Sequence, residues 1–160
     1  MLKAAPECKL LPEPYEPKID CAMHLENGLT PATRKDILDR LIHLLGYYQF
    51  DAIAFRGLSG ALFAPAVAIL MNKTLLAVRK GEKCHSGREV EGDYNARRYV
   101  IIDDFVSSGT TVREIIEKIK YSLPRALCIG VIEYNYILGQ TAQEALKPVH
   151  QVLGGSFSIL

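Results

Sequence analysis

Residues 99–111, YVIIDDFVSSGTT, concentrate the chemistry of this chain. An apolar run delivers two adjacent carboxylates, Asp103 and Asp104, to the end of a strand. A short Ser/Gly/Thr loop then opens a helix with Val112, Ile115, Ile116 and Ile119 on one face. Such a loop offers backbone N–H groups, hydroxyls and the positive end of a helix macrodipole, which together can cradle a phosphate. The two acids beside it could hold sugar hydroxyls or a magnesium ion. Ser, Gly and Thr are also the residues that cap helices, and strand-end aspartates can be plain solvated charges, so loop composition alone leaves both readings open.

Two further segments carry charge in glycine-rich surroundings. In residues 56–60, RGLSG, the glycines let the backbone approach an oxyanion and Arg56 can grip it bidentately. In residues 79–87, RKGEKCHSG, three cations and an imidazole stand on a glycine-flanked loop, the make-up of a lid over a multiply charged substrate and equally of a solvated basic loop.

Strands and helices must position these groups. Pro31 and the apolar residues Ile37, Leu38, Leu41, Ile42, Leu44 and Leu45 predict an amphipathic helix from Thr30 to Gly46. Residues 51–55 read as a strand, 56–60 as a loop, and 61–71 as a helix with Pro65 in its first turn or kinking it. Strands follow over 74–79, 99–103 and 126–134, with a long polar connection over 80–98 between the first two. Four of the eight prolines, Pro6, Pro12, Pro14 and Pro17, make the N-terminal stretch an arm laid over the body. Strands alternating with helices imply an α/β protein with a central, mostly parallel sheet flanked by helices and ligands at the carboxyl ends of its strands.

Composition narrows the function classes. The 160 residues suit one domain, 1–160, with a core of its own. With 19 basic and 18 acidic side chains, no bulk field marks a nucleic-acid binder, so no nucleic-acid partner is expected. No apolar run is long enough to span a bilayer and no signal peptide is visible, so neither a membrane partner nor secretion is expected. Cys8, Cys21, Cys84 and Cys128 have no zinc-like spacing and read as reduced thiols in a cytoplasmic protein. The absence of GxxxxGK[ST] and GxGxxG removes P-loop and dinucleotide readings.

Taken whole, residues 99–111 resemble the phosphoribosyl pyrophosphate (PRPP) signature of type I phosphoribosyltransferases. Ser108 stands where that family commonly has Thr and keeps the hydroxyl. The resemblance implies that Asp103 and Asp104 hold the ribose hydroxyls and, directly or through water, a magnesium ion. Val106, Ser107, Ser108, Gly109, Thr110 and Thr111 would then bind the 5′-phosphate. The RGLSG segment lies where the family places its pyrophosphate loop, and residues 55–63, FRGLSGALF, look most like adenine phosphoribosyltransferases. Arg56, Gly57, Ser59, Arg79 and Lys80 would bind pyrophosphate. The spacing from Arg79 to Gly87, with Val90-Glu91-Gly92 after it, resembles the catalytic loop of orotate phosphoribosyltransferases. By position Lys83 and His85 would be a mobile catalytic pair acting with Asp104, on a lid over 80–98 that reaches a neighbouring subunit, implying a homodimer.

The resemblance thus implies the type I phosphoribosyltransferase fold with a reduced hood, its N-terminal arm over 1–29. It implies transfer of ribose 5-phosphate from PRPP to a nucleobase, with orotate favoured. An adenine-type enzyme and a PRPP- or nucleotide-sensing regulatory module are the alternatives. The segment 133–139, EYNYILG, lacks the arginine that orotate enzymes use after this strand, and 147–153, KPVHQVL, looks closer to the adenine type. Tyr134, Tyr136 and His150 read as packing residues.

Overall fold

The computed structural model describes residues 18–81 and 87–154. The proline-rich arm over 1–17 and residues 82–86, which include Lys83 and His85, lie outside the described residues.

The chain enters through a 3-10 turn, Met23–Leu25, and a single helical turn, α1 (Glu26–Leu29). Helix α2 (Pro31–Leu45) follows the predicted span, with Pro31 in its first turn, where a missing N–H costs nothing. Next come β1 (Ala52–Arg56), α3 (Gly57–Ala61), α4 (Ala64–Leu70), β2 (Thr74–Val78), β3 (Val90–Gly92), β4 (Arg98–Asp103) and α5 (Thr110–Ser122). The chain continues through β5 (Leu127–Glu133), a 3-10 turn at Tyr134–Tyr136, α6 (Ala142–Ala145), β6 (Leu146–Lys147) and α7 (Val149–Leu153).

The six strands form one sheet in the order β3-β2-β1-β4-β5-β6. The inner four run parallel, and β3 and β6 close the two edges antiparallel. This is the α/β, mostly parallel architecture expected. Two local expectations are corrected. The loop expected over 56–60 is absent: Arg56 ends β1 and Gly57–Ala61 forms a helical turn, because Gly57 adopts φ +67° and swings the chain directly from β1 into α3. The stretch 80–98 is not one long connection: Val90–Gly92 pairs with β2, satisfying an edge that would otherwise expose a row of backbone polar groups, and Arg98 already belongs to β4.

Side chains alternate across the parallel strands. Ile53, Val100, Ile102 and Ile132 pack with Ile37, Leu41, Leu44, Phe63 and Val67 on the side of α2 and α4. Ala52, Ala54, Ile101 and Val131 pack with Val112, Ile115, Ile119, Val149 and Leu153 on the side of α5 and α7. Both layers are needed because parallel strands are apolar on both faces. Asp103 and Asp104 stand where β4 leaves these two cores, at the carboxyl edge of the sheet.

Candidate functional site

At that edge a cavity of about 470 Å³ is lined by Arg56, Ser59, Lys80, Asp103, Asp104, Phe105 and Val106, the run Ser107 to Val112, and Glu114. Its size falls within the range of roughly 300–1,000 Å³ usual for small-molecule sites. Three successive strand ends contribute: β1 supplies Arg56 and, through α3, Ser59; the residues after β2 supply Lys80; β4 supplies the acids and the loop that opens α5.

The loop is shaped by one glycine. Gly109, at the cap of α5, has φ +75°, and a Cβ there would lie 2.9 Å from the Val152 carbonyl oxygen on α7. Ser108 Oγ and Thr110 Oγ1 lie 2.9 Å apart, and the Thr110 N–H points at Ser108 Oγ at 3.4 Å. The thirteen-residue helix starts at the cavity, with Thr110, Thr111 and Val112 in its lining, and a helix N-terminus is a ready anion site.

The acids are almost buried, each 6% exposed, yet nearly all of their hydrogen bonds come from neutral groups. Asp103 Oδ1 accepts from Ser59 Oγ at 2.9 Å and from the Asp104 N–H at 3.1 Å. Asp104 Oδ1 accepts from the Phe105 N–H at 2.8 Å, and its Oδ2 lies 3.6 Å from His24 Nε2. Burial pushes the Asp103 carboxyl up to about 6, with the Ser59 hydrogen bond pulling the other way and the neighbouring Asp104 charge pushing further up. Two crowded carboxylates with hydroxyl company are hard oxygen donors, and they fit a magnesium ion that completes its shell with water and substrate oxygens. Among the described residues no three His, Cys, Asp or Glu side chains gather into a metal site, so such an ion would depend on substrate for much of its coordination.

The expected pyrophosphate residues divide. Lys80 lines the cavity and lies across Gly57, where a Cβ would meet its Cε at 2.6 Å. Arg56 also lines the cavity, but its guanidinium is ion-paired with Glu114 of α5 and points Nη2 at the Lys80 carbonyl oxygen, 3.4 Å away. Arg79 is turned elsewhere: its guanidinium grips Glu91 of β3, at 2.6 Å from Nη2 and 3.0 Å from Nε, and it does not line the cavity. The antiparallel pairing that sets Ala77 opposite Glu91 brings that carboxylate within reach.

On the other side of Asp104 stands the described part of the hood. The His24 ring meets Phe105 edge-on, with centroids 5.7 Å apart. Asn135 locks the hood to the end of β5: its Nδ2 donates to the His24 carbonyl at 2.8 Å, its N–H to the Asp104 carbonyl at 3.2 Å, and its Oδ1 accepts from Asn27 at 3.4 Å. Tyr134 is fully buried against Phe63, as a packing residue should be, whereas Tyr136 and His150 are exposed. Sequence reasoning missed His24, Phe105 and Glu114. Phe105 could have been found from its place beside the acids and Glu114 from its place in the first turns of α5, but His24 comes from a remote segment with no local signature.

No family model matches the chain. Over 89 residues, 54% of this chain and 44% of the relative, it is 36% identical to orotate phosphoribosyltransferase from Cenarchaeum symbiosum. It therefore spans less than half the length of that relative. Among solved structures it resembles orotate phosphoribosyltransferase from Mycobacterium tuberculosis in complex with PRPP, with a TM-score of 0.51 and 15% identity, covering 66% of this chain and 61% of that one. It also resembles adenine phosphoribosyltransferase from Thermoanaerobacter pseudethanolicus, with a TM-score of 0.51 and 20% identity, covering 71% of this chain and 80% of that one. The fold is that of type I phosphoribosyltransferases, and the similarity to both orotate and adenine kinds implied by the motifs holds.

Proposed function

We propose that this chain is a phosphoribosyltransferase that binds PRPP in the cavity at the carboxyl edge of the sheet and passes its ribose 5-phosphate to a nucleobase, releasing pyrophosphate. The observation that carries the reading is the convergence of Asp103, Asp104, the loop from Val106 to Thr111, Ser59 and Lys80 on one cavity. The PRPP-bound relative with the same fold supports it.

In this reading the loop N–H groups and hydroxyls hold the 5′-phosphate, and Asp103 and Asp104 accept from the ribose hydroxyls. The pyrophosphate then lies toward Arg56, Ser59 and Lys80. The bond from C1′ to the pyrophosphate oxygen breaks as a base nitrogen bonds to C1′, and the sugar passes through a cationic, oxocarbenium-like state. Fixed cations stabilise the departing pyrophosphate, and nearby carboxylates tolerate the positive sugar. A magnesium ion at Asp103 and Asp104, directly or through water, would add charge neutralisation at the pyrophosphate. By their motif, Lys83 and His85 complete the site as the catalytic pair of the lid, and by the same motif the lid is shared between the subunits of a homodimer. With the lid closed, water is kept from competing as the nucleophile.

Orotate is the favoured base on the lid motif and the curated relative. Adenine is the second reading, favoured by the FRGLSGALF loop and by the absence of an arginine over 133–139. The protein with PRPP, magnesium and either orotate or adenine should consume one base and release pyrophosphate in equal amount. Consumption of neither base, with no thermal shift on adding PRPP, would overturn both readings.

A further inference from the structure

Behind the phosphate loop, facing away from the cavity, lies a charged pair that the proposed chemistry does not use. Glu133, the last residue of β5, is 4% exposed, and both of its carboxylate oxygens are engaged. Oε1 accepts the Val106 N–H at 2.5 Å, and Oε2 is ion-paired with Lys147 of β6. Val106 is the first residue of the loop after Phe105, and Gly109 at its far end is backed by the Val152 carbonyl of α7. The segment from β5 to α7 therefore holds the loop from behind at both ends.

A buried carboxylate near a phosphate site is a liability on charge alone, because it repels the ligand and is costly to desolvate. Its position is intelligible if its task is geometric. The chain bends at Asp104 and again from Ser107 to Gly109, and Val106 lies between the two bends. A charge-assisted hydrogen bond to the Val106 N–H pins the chain between those bends, and Lys147 neutralises the carboxylate that makes it.

We infer that Glu133, held by Lys147, is a positioning residue that sets the phosphate loop in its binding conformation before ligand arrives. The inference rests on the phosphoribosyltransferase reading for the identity of the ligand, but not for the clamp itself.

Two conservative variants separate geometry from charge. Glu133→Asp keeps the charge beside Lys147 but is one methylene too short to reach the Val106 N–H. Glu133→Gln loses the charge but keeps an acceptor at the right distance. The clamp predicts that Glu133→Asp weakens binding of ribose 5-phosphate, followed by calorimetry, by about tenfold, the usual effect of losing one hydrogen bond to a charged group. Glu133→Gln should stay within about threefold of wild type, given the smaller worth of a neutral hydrogen bond. Charge alone predicts the reverse order, with Glu133→Gln tightening binding and Glu133→Asp unchanged.

Amide hydrogen exchange at Val106 in the ligand-free protein checks the clamp without any ligand. It should be slow in wild type and in Glu133→Gln and faster in Glu133→Asp. Equal Val106 exchange in wild type and Glu133→Asp would overturn the clamp, as would wild-type ribose 5-phosphate affinity in Glu133→Asp. If Glu133→Asp does not fold, Glu133→Gln decides: a folded variant with fast Val106 exchange or lost ribose 5-phosphate affinity refutes the geometric role. Failure of wild type to bind ribose 5-phosphate, with Val106 exchange slow, would sink the phosphoribosyltransferase reading and leave the clamp standing.

Discussion

The cavity has two sides, and they are built in different ways. The phosphate side is one uninterrupted stretch, Asp103 to Thr111, whose working groups are mostly backbone N–H and small hydroxyls at a helix N-terminus. The hood side is assembled from distant places: His24 lies against Asp104 and Phe105, and Asn135, 111 residues further along the chain, holds the His24 carbonyl. A site made of backbone is fixed by local conformation and changes little when side chains drift. A site made of long-range side-chain contacts can be rewritten one residue at a time. The contrast accounts for a chain that shares its fold with both orotate and adenine enzymes. In the proposed reading PRPP belongs to the first side and the nucleobase to the second.

That contrast can be broken by variants confined to one side. The largest effect is expected from Lys83→Ala, which should lower turnover by about a hundredfold or more, the usual cost of losing one group that stabilises developing charge, while PRPP affinity moves less than about threefold. Equal losses in the two measurements would remove Lys83 from a role confined to the transition state.

Gly109→Val should come next. It forces a branched side chain into a left-handed conformation, a strain of about 1–2 kcal/mol before any contact with Val152 is counted. PRPP affinity by calorimetry should fall by about thirtyfold if the strain and the displaced N–H groups together cost about 2 kcal/mol. The melting temperature should fall by roughly 5 °C for a chain of this size.

Asp103 and Asp104 test where the boundary between the two sides runs. Asp103→Asn should raise the KM for PRPP alone by about tenfold, whereas Asp104→Asn, which also faces His24, should raise the KM for PRPP and for the base. Identical profiles for the two variants would mean that the sides are not separable. The smallest effect is expected from Asn135→Ala, which unpins the hood at a cost of about 1 kcal/mol per lost hydrogen bond. Steady-state kinetics should show a higher KM for the base with PRPP affinity unchanged.

The same division governs what could be read from sequence. The parallel strands β1, β2, β4 and β5 were legible because apolar runs with helical periodicity between them leave little choice of architecture, and the phosphate loop because its chemistry is written in consecutive residues. What escaped was decided by pairing across the fold. Val90–Gly92 is too short and polar to announce itself as a strand, and it exists because β2 offers a free edge. Arg56 reads as a free cation until α5 brings Glu114 beside it, and Arg79 until the same edge pairing brings Glu91. Glu133 carries no local signal of its role, yet the chain after β4 delivers the Val106 N–H to it and β6 delivers Lys147. His24 lies beyond the prolines, in a segment that the resemblance implies is only an arm. In each case the partner is fixed by tertiary register, which no local pattern encodes.

The central claim is that the carboxyl edge of the sheet is a PRPP site. Calorimetric titration of the protein with PRPP and magnesium, run beside the Asp103→Asn/Asp104→Asn double variant, tests it most directly. Saturable binding of one PRPP per chain, weakened about a hundredfold in the double variant by loss of two charge-assisted contacts, is the predicted result. No binding by the wild-type chain, or equal binding by both proteins, would contradict it.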